Sequence, residues 1–410
     1  MGAGKAAAES RERKEKVKIG FITPSLSVCG GLQRVQTLLA NELAGRHQVV
    51  IIALEDGSMP PYYELDRRVQ VIYEDAFQRV KNQVPWGAVR AAARRYQFVL
   101  PTWAARRAYY PGKIVREFQE KLKNERYDCL VASTAFCSVL LGLMAEKMKD
   151  VKTIGWHHNS FSVYFQTPGK GAYIQQKLAG KVLKRLDALV TLTRQDKEEY
   201  KRWMSLEAKY IYNPLSFSSE KKADAGEKKL LFVSRLEMQQ KGLDFLIRIA
   251  DILFHQRGHT DWKLEIVGAG RGMEEVRKMI AEYGLESYVE LLGEKKNVID
   301  YYTKASVFLC TSRWEGFGMV VTEAMECGLP VVSFKTDGPL EIIRDGKTGY
   351  LVDNFNLEQF ADTVEQLMKN EKLRKEMSEN ASVRAKDFSV EKVGEEWEKL
   401  FEDLEKYQNA

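Results

Sequence analysis

The sequence is poor in cysteine, and the few cysteines show no spacing that a disulfide framework or a metal site would require. There are five, an odd number, and no two of them form a C-x-x-C pair. They are Cys29, Cys129, Cys137, Cys310 and Cys327, and most of them lie among apolar neighbours. We therefore interpret them as reduced core residues of a cytosolic protein.

Long apolar segments are also scarce. The chain starts with the polar, charged stretch MGAGKAAAESRERKEKVKIG, so no signal peptide is expected. The longest uncharged run, CLVASTAFCSVLLGLMA, has 17 residues (129–145), which is the lower limit for crossing a bilayer. We interpret it as a strand followed by a helix capped by Ser133 or Thr134, and we predict no transmembrane segment.

Acidic residues are missing from one part of the chain. Between Ala76 and Arg116 there are nine basic residues and no acidic one. Residues 1–210 hold 35 Lys and Arg against 21 Asp and Glu, whereas the rest hold 28 against 36. The two halves are therefore electrostatically different, which suggests that they bind different partners.

Both halves alternate strand and helix. Seven strand patterns precede the polar segment SSEKKADAGEKK (218–229), and six follow it. Strands separated by helices of this length predict parallel sheets, hence an α/β protein with two domains and a ligand cleft between them. The predicted order is a charged tail (1–16), an N-terminal domain (17–217) with a basic aromatic insertion (79–116), a linker (218–229), a C-terminal domain (230–388) and a terminal helix (389–410).

The stretch RWEGFGMVVTEAMECGLPVV (313–332) places two carboxylates, Glu315 and Glu323, around a glycine-rich loop. A strand pattern precedes the loop, and a helix from Met319 to Cys327 should follow it and end at Gly328. Ligands of open α/β sheets bind at the carboxyl ends of strands, which is where Glu315 is expected. Two surface glutamates beside a helix are the alternative interpretation.

A phosphate-binding loop is predicted after the first strand of the second half. In SRLEMQQKGLDFLI, Arg235 and Lys241 lie on a loop beyond the strand, and Gly242 opens the next helix. A guanidinium group, a mobile ammonium group and a helix N-terminus are suited to binding a diphosphate. The alternative is that Arg235 and Lys241 are solvated surface charges. The expected proximity of the Glu315 loop argues against it.

Two further glycine-rich turns differ in what they indicate. Gly30 and Gly31 follow the first strand, where glycine lets backbone N–H groups approach an anion. The turn VGAGRG (267–272) resembles a dinucleotide fingerprint, but Gly272 comes one residue early and the preceding strand is the second of its domain. We interpret it as a turn on the nucleotide side and not as a nicotinamide site.

Two adjacent histidines, His157 and His158, follow a strand of the first half. Successive side chains of an extended chain alternate, so only one of them can face a given site. No His, Cys or carboxylate cluster with metal spacing accompanies them, so no metal site is predicted. One histidine is expected to contact substrate and the other to be structural.

Together these motifs resemble the family 4 glycosyltransferases, which have the GT-B fold of two Rossmann-like domains facing across a cleft. The segment DGPLEIIRDGKTGYLV (337–352) is similar to the end of that family's sugar-nucleotide pocket. The resemblance extends from Val17 onward and is strongest over residues 230–352. It also implies that the C-terminal helix returns toward the first domain.

The resemblance implies a hexosyltransferase that retains the anomeric configuration and needs neither metal nor cofactor. Its donor would be a nucleotide diphosphate sugar, taken to be UDP-linked. His158 is chosen over His157 because Asn159 follows it, as in the family's H-N pattern. The implied catalytic residues are Glu315, His158, Arg235 and Lys241; the implied substrate-binding residues are Gly30, Gly31, Arg235, Lys241, Glu315, Phe317, Gly318, Met319, Val320 and Glu323.

In that family's chemistry, Glu315 would lie beside the donor sugar and Glu323 would bind the ribose hydroxyls. Arg235 and Lys241 would stabilise the leaving diphosphate, as a metal ion does in other enzymes. A nucleotide-sugar epimerase or a phosphorylase of similar architecture remains an alternative, because the fold alone does not exclude it.

The basic stretch has its own alternatives. Its basic residues are mixed with aromatic and apolar ones, namely Trp86, Phe98, Leu100, Trp103, Tyr109 and Tyr110. This mixture favours a helix pair lying on an anionic membrane, and so a peripheral enzyme of the cytoplasmic leaflet that extends a lipid-linked glycan. A helical insertion with a packed aromatic face is a second interpretation. Nucleic-acid binding is a third, and we expect no nucleic-acid partner.

Overall fold

The computed structural model describes residues 16–80, 86–168 and 172–406, so the predicted tail lies outside the described residues except for Lys16. The chain divides into two compact units. The N-terminal unit comprises the described residues up to Thr191, the segment Glu199–Lys209 and those from Gly394 onward. The C-terminal unit comprises Leu192–Glu198 and Tyr210–Val393.

The N-terminal unit is built on a seven-stranded sheet with the order β3-β2-β1-β4-β5-β6-β7. All pairings from β3 to β6 are parallel, as the alternation of strand and helix predicts. The central strands are buried along nearly their whole length, because helices cover both faces of a parallel sheet. The strands are β1 Lys18–Thr23, β2 Gln48–Ala53, β3 Gln70–Tyr73, β4 Cys129–Ser133, β5 Lys152–Trp156, β6 Ala188–Thr191 and β7 Lys209–Tyr210.

Eight helices begin among the described residues of this part of the chain. In the first, Val35, Leu39 and Leu43 recur at four-residue spacing and are buried against the sheet. The helices are α1 Gly31–Leu43, α2 Ala76–Val80, α3 Trp86–Arg95, α4 Thr102–Tyr109, α5 Gly112–Asn124, α6 Thr134–Met144, α7 Gln176–Val182 and α8 Arg194–Met204. Single turns of 3₁₀ or π helix occupy Ala145–Lys147, Ser162–Gln166, Tyr173–Gln175 and Leu183–Arg185.

The C-terminal unit contains a six-stranded parallel sheet with the order β10-β9-β8-β11-β12-β13. The chain runs outward from β8 in one direction, then returns to add β11 on the other side. Such a reversal is the Rossmann-type switch point, and β8 and β11 flank it. The strands are β8 Lys229–Val233, β9 Lys263–Val267, β10 Val289–Gly293, β11 Val307–Cys310, β12 Val331–Phe334 and β13 Gly349–Val352.

Helices pack on this second sheet around a core rich in leucine, isoleucine and phenylalanine. The side chains of Asn356 and Asn370 cap two of them by accepting hydrogen bonds from the Gln359 and Leu373 amides. The helices are α9 Met238–Lys241, α10 Leu243–Asp251, α11 Met273–Glu282, α12 Ile299–Tyr302, α13 Met319–Glu326, α14 Asp337–Ile342, α15 Leu357–Lys369, α16 Glu371–Ala385 and α17 Val390–Lys406, with short turns at Ile252–Gln256 and Lys386–Phe388.

The terminal helix α17 packs with the N-terminal unit from Gly394 onward, which confirms the prediction that it returns there. Trp397 is fully buried, and its ring lies 4.9 Å from that of Trp156 at the end of β5. Nearby, Glu398 binds the Nε2 atom of His47 at 2.8 Å. These contacts join the end of the chain to the sheet of its first unit.

The segment predicted as a linker, residues 218–229, is instead a packed part of the C-terminal unit. Ser219 and Ala225 are buried, and the Ser219 amide donates to Glu326 at 2.9 Å. The Lys222 ammonium group also binds Glu326. The polar composition suggested a connection between domains. Most of the segment is exposed, but the Ser219 amide and the Lys222 ammonium group attach it to the buried carboxylate of Glu326.

Within the described ranges, no helix combines the length and the apolar composition that a bilayer-spanning helix needs. The run 129–145 forms β4, α6 and the start of the next turn, as predicted. Its apolar residues are buried in the core of the N-terminal unit.

Candidate active site

The switch point of the C-terminal unit brings the two predicted loops together. Leu230 and Leu231 of β8 pair with Val307 and Phe308 of β11, so these strands end side by side. The segment after β8 carries Arg235 and Lys241, and the segment after β11 carries Glu315. The position of these residues at adjacent strand ends is the one expected of a ligand site in an open α/β sheet.

The side chains of Lys241 and Glu315 form an ion pair at this point. Lys241 Nζ lies 2.5 Å from Glu315 Oε1, and Ser312 Oγ donates to the same oxygen at 2.7 Å. The side chains are only 12% and 8% exposed, so the carboxylate and the ammonium group hold each other in place. Lys241 is the last residue of the short helix α9 and not part of a loop, which corrects the prediction.

A second ion pair fixes the two segments and was missed from the sequence. Arg313 donates from Nη1 and Nη2 to the two carboxylate oxygens of Asp244 at 2.8 and 2.7 Å, and its backbone amide donates to the Gln240 carbonyl. Its guanidinium group also lies 3.8 Å from the centre of the Phe245 ring. Burial alone would raise the pKa of Asp244, but Arg313 outweighs it and holds that pKa below its usual value.

Gly242 makes the close approach of these segments possible. Its φ is +61°, and a Cβ atom at this position would lie 2.0 Å from the Thr311 carbonyl oxygen. The Thr311 hydroxyl group donates to the Lys241 and Gly242 carbonyls at 3.0 and 3.1 Å. Only glycine fits here without displacing the backbone of one segment.

Arg235 differs from Lys241 because its side chain is exposed and has no salt bridge to the described residues. Its backbone is nevertheless fixed, because the flanking Leu236 amide donates to the Ala269 carbonyl at 2.9 Å. A Cβ atom on Gly268 or Gly270 would lie 1.8 Å from the Ser234 carbonyl oxygen or 2.5 Å from that of Leu236. The glycines that resemble a dinucleotide fingerprint thus allow close packing against the Arg235 segment.

The loop after Glu315 ends in Gly318, whose φ is +96°, and α13 begins at Met319 as predicted. The Phe317 side chain is buried among Tyr212 and Phe388, with ring centroids 5.8 and 5.6 Å away. A Cβ atom on Gly338 would lie 1.8 Å from the Phe317 carbonyl oxygen. The side chain of Phe317 therefore holds the loop in place, and the backbone of the loop stays the candidate for ligand contact; Met319 and Val320 are half-buried.

Glu323 is buried in α13, and both of its carboxylate oxygens accept hydrogen bonds. Ser216 Oγ donates to Oε1 at 2.5 Å, and the Tyr302 hydroxyl group donates to Oε2 at 2.9 Å. Ser216 and Tyr302 are further site residues that sequence reasoning did not identify.

In the N-terminal unit, Gly30 and Gly31 lie at the corresponding switch point, between β1 and α1 and beside β4. Gly30 is extended, with φ −173°, and a Cβ atom there would meet only the flexible end of Gln33. The fold itself does not require glycine at Gly30. Close approach of a ligand remains a reason for it.

The two histidines have different surroundings. His157 is buried, its Nδ1 atom is hydrogen-bonded to the Tyr200 hydroxyl group, and its ring packs on Tyr164. His158 is half-buried, and neither ring nitrogen has a hydrogen-bond partner among the described residues. Burial lowers the pKa of each to about 3, so both rings are neutral at neutral pH. The geometry thus makes His157 structural and leaves His158 the candidate for substrate contact.

The basic aromatic stretch forms α3, α4 and part of α5; residues 81–85 lie outside the described ranges. Leu100 and Tyr110 are buried in the core, whereas three aromatic side chains are exposed, Tyr96, Phe98 and Trp103. Four arginines are also exposed, at positions Arg94, Arg95, Arg106 and Arg107. The stretch therefore has both a packed face and a basic aromatic surface.

Comparison with known proteins identifies the class. Residues 29–217 match the family "Glycosyltransferase Family 4", and residues 216–384 match "Glycosyl transferases group 1". An uncharacterized glycosyltransferase of Haemophilus influenzae is 26% identical over 386 residues, which are 93% of this chain and 98% of the relative.

A second relative, from Campylobacter jejuni, is 27% identical over 399 residues, or 95% of this chain and 99% of its own. It is named GalNAc-α-(1→4)-GalNAc-α-(1→3)-diNAcBac-PP-undecaprenol α-1,4-N-acetyl-D-galactosaminyltransferase. Among solved structures, a TarM mutant from S. aureus, in complex with fondaparinux, α-GlcNAc-glycerol and UDP, has a TM-score of 0.71 and 18% identity. The match covers 94% of this chain and 99% of that one.

Two Rossmann-like units, each with its own switch point and its own family match, define a glycosyltransferase of GT-B fold. This chain belongs to the family 4 type of these enzymes. The predicted fold and the predicted hexosyltransferase are thereby confirmed.

Proposed function

We propose that this enzyme moves a hexosyl or N-acetylhexosaminyl group from a UDP-sugar to a lipid-linked or other glycan in surface polysaccharide or glycoconjugate synthesis. Transfer retains the anomeric configuration and needs no metal ion. The observation that carries the proposal is the buried Lys241–Glu315 ion pair at the switch point of the C-terminal unit. It supplies opposite charges where sugar and diphosphate would separate.

In the proposed reaction, the bond between the anomeric carbon and the diphosphate oxygen breaks. A bond from an acceptor hydroxyl oxygen to that carbon forms, and the hydroxyl proton passes to an oxygen of the departing diphosphate. Positive charge develops on the sugar and negative charge on the diphosphate. The Glu315 carboxylate is suited to stabilising the positive charge on the sugar. Lys241, Arg235 and the backbone N–H groups at the start of α13 are suited to stabilising the negative charge on the diphosphate.

A UDP donor is supported by the UDP bound in the related TarM mutant structure and by the surroundings of Glu323. The Glu323 carboxylate, held in place by Ser216 and Tyr302, suits the hydroxyl groups of a ribose because these donate hydrogen bonds. His158 would meet the sugar as a neutral hydrogen-bonding group, because its pKa is about 3. Neither ring nitrogen has a hydrogen-bond partner among the described residues, although both atoms are buried in this structure.

A lipid-linked acceptor is supported by the name of the Campylobacter jejuni relative, which contains PP-undecaprenol, and by the surface of α3 and α4. Exposed arginines attract anionic headgroups, and Tyr96, Phe98 and Trp103 suit the membrane interface. We therefore propose a peripheral enzyme on the cytoplasmic leaflet.

The test is a panel of nucleotide sugars, with release of the nucleotide diphosphate as the readout. We expect one UDP-sugar to give UDP release. EDTA should not diminish this release, and Lys241→Ala should abolish it. Interconversion of sugars without UDP release would indicate an epimerase. Abolition by EDTA with rescue by Mn²⁺ would contradict metal independence.

A further inference from the structure

Glu341, in α14, is a half-buried carboxylate to which the proposed reaction gives no role. Each of its carboxylate oxygens accepts a hydrogen bond from a distant part of the chain. The Arg194 amide donates to Oε1 at 2.8 Å, and the Tyr212 hydroxyl group donates to Oε2 at 2.8 Å. All three residues belong to the C-terminal unit, which includes Leu192–Glu198 and Tyr210–Val393.

The bond from Tyr212 to Glu341 holds an aromatic ring beside the candidate site. Burial and the Glu341 carboxylate raise the pKa of the Tyr212 hydroxyl group, so this group keeps its proton and donates at neutral pH. The Tyr212 ring packs on Phe317 and Phe388, with ring centroids 5.8 and 5.4 Å away. Phe317 lies two residues after Glu315, so the position of the Tyr212 ring affects the loop that carries this glutamate.

The segment that carries Tyr212 also reaches the second glutamate of the candidate site. We refer to residues 211–217 as the post-β7 segment. Near its start, Tyr212 packs on Phe317 in the loop before α13. Near its end, Ser216 donates to Oε1 of Glu323, within α13, at 2.5 Å. One short segment therefore contacts both the loop and the helix that follows it.

The helix α14 is itself fixed, so Glu341 can act as an anchor. Arg384 donates to the carbonyls of Glu341 and Ile342 at 2.7 and 3.1 Å. Near the other end of α14, a Cβ atom on Gly338 would lie 1.8 Å from the Phe317 carbonyl oxygen. The helix therefore contacts the backbone of Phe317 directly, and it reaches the Phe317 ring by way of Glu341 and the tyrosine.

We propose that Glu341 is a positioning residue of the donor site: by binding the Tyr212 hydroxyl group, it fixes the post-β7 segment and with it the Glu315 loop and Glu323. This rests on the proposed function, which assigns the UDP-sugar to the C-terminal unit. Glu341 acts through Tyr212 and is not a catalytic residue. Its contribution is two acceptor oxygens at fixed positions, and its charge is not required.

Tyr212→Phe removes the hydroxyl group but keeps the ring that packs on Phe317. We expect donor kcat/KM to fall on the order of 10-fold, because a misplacement of about 1 Å costs up to about 10²-fold. UDP affinity, measured by titration, should weaken in the same variant. Glu341→Ala should have at least as large an effect, because it also leaves the Arg194 amide without its partner. Combining the two substitutions should cost no more than Glu341→Ala alone, because both remove the same bond.

Glu341→Gln separates geometry from charge. Its amide oxygen can accept from the Arg194 amide, and its amide nitrogen can donate to the Tyr212 hydroxyl oxygen. We therefore expect donor kcat/KM and UDP affinity to stay within about twofold of the wild type. A loss as large as that in Glu341→Ala would show that the charge itself is required, and it would overturn the positioning role.

Glu365 offers a matched control. It is also a half-buried glutamate of the C-terminal unit, and it binds Arg257 and His259 at 3.2 and 2.6 Å. Glu365→Ala should lower the melting temperature without changing donor kcat/KM or UDP affinity. If Glu365→Ala reduces both as Glu341→Ala does, the effect is general destabilisation and the positioning role is wrong.

A readout independent of turnover separates this inference from the proposed function. Hydrogen exchange of peptides covering residues 313–326 should speed up in Tyr212→Phe and Glu341→Ala, and not in Glu341→Gln or Glu365→Ala. Unchanged exchange and unchanged UDP affinity in Tyr212→Phe would overturn the positioning role. If the wild type released no UDP from any UDP-sugar but the exchange result held, the proposed function would fail and only the loop-positioning part of the inference would stand.

Discussion

Arg313 and Asp244 are joined by two parallel hydrogen bonds, although 69 positions separate them in the chain. Asp244 lies three residues beyond Lys241, and Arg313 lies two residues before Glu315. The pair therefore connects the two segments that form the candidate site. We predict that Asp244→Asn lowers donor hydrolysis and acceptor transfer together, on the order of 10-fold, because the Lys241–Glu315 geometry loosens. Steady-state kinetics with both readouts checks this.

The cost to stability should be small, because both side chains are partly exposed, at 19% and 31%. Unfolding in urea should show a loss of about 1 kcal/mol. A variant that loses activity only in proportion to its folded fraction would show that this pair merely stabilises the unit. Asp261→Asn, which removes an exposed pair with Lys228, is the control and should leave activity unchanged.

Loss of the Lys241 side chain should mainly lower turnover, whereas loss of the Arg235 side chain should mainly weaken UDP binding. Lys241→Ala leaves the buried Glu315 carboxylate without its ion-pair partner, so turnover should fall on the order of 10²-fold or more. Arg235→Ala removes an exposed cation and should weaken UDP binding without lowering the melting temperature. UDP titration and thermal unfolding measure these two effects.

Arg277→Ala, which removes an exposed cation from α11, serves as the control for Arg235→Ala. Unchanged UDP affinity and unchanged turnover in both site variants would rule out the diphosphate-binding role. A lowered affinity in Arg277→Ala as well would show that the effect is general charge and not a site.

Gly242→Ala tests whether the site depends on the close approach of two segments. Gly258 has a similar φ of +71° but open space around its Cβ position, so Gly258→Ala isolates the backbone cost. We expect Gly258→Ala to cost about 1 kcal/mol. Gly242→Ala should cost about 3 kcal/mol, because the methyl group also meets the Thr311 carbonyl. Equal losses of unfolding free energy would contradict the close packing.

The strands were predictable, whereas the contacts between loops were not. All thirteen strand patterns appear as strands, because buried parallel strands leave continuous apolar runs such as VVII and VFLC. The positions of Lys241 and Glu315 at adjacent strand ends followed from the same pattern. The Arg313–Asp244 pair and the bond from Ser216 to Glu323 join distant segments, and no local pattern indicates them.

Composition was misleading where a polar residue has a buried partner. Residues 218–229 have the composition of a linker, yet the Ser219 amide and the Lys222 ammonium group bind the buried carboxylate of Glu326. The partner of a polar group depends on the tertiary structure.

The buried histidine His157 should make stability depend on pH. Its pKa is about 3 in the folded protein, because burial disfavours the charged ring, against an ordinary value of about 6.5. Below about pH 6.5 the unfolded chain binds a proton that the folded chain does not. The unfolding free energy therefore falls as pH drops toward 3, by up to about 1.4 kcal/mol per pH unit for this group.

His157→Gln should remove this contribution, so the difference in unfolding free energy between wild type and variant should narrow as pH falls from 7 to 5. His158→Gln should have a similar effect, because burial also lowers the pKa of the His158 ring to about 3. Urea unfolding at several pH values measures it. Parallel pH profiles for wild type and His157→Gln would contradict a buried neutral ring.

The surface of α3 and α4 should hold the enzyme on anionic membranes. Its exposed arginines, Arg94, Arg95, Arg106 and Arg107, each contribute about 1 kcal/mol near anionic lipid. Replacing all four by glutamine should release the protein from vesicles of anionic lipid while leaving UDP-sugar hydrolysis intact.

A charge-matched control replaces four exposed lysines of the C-terminal unit, Lys278, Lys369, Lys375 and Lys392, and should still co-sediment. Trp103→Ala should weaken binding further, since its side chain is 63% exposed and suits the interface. If the quadruple arginine variant co-sediments as the wild type does, this surface does not bind membranes, and the acceptor is reached in solution.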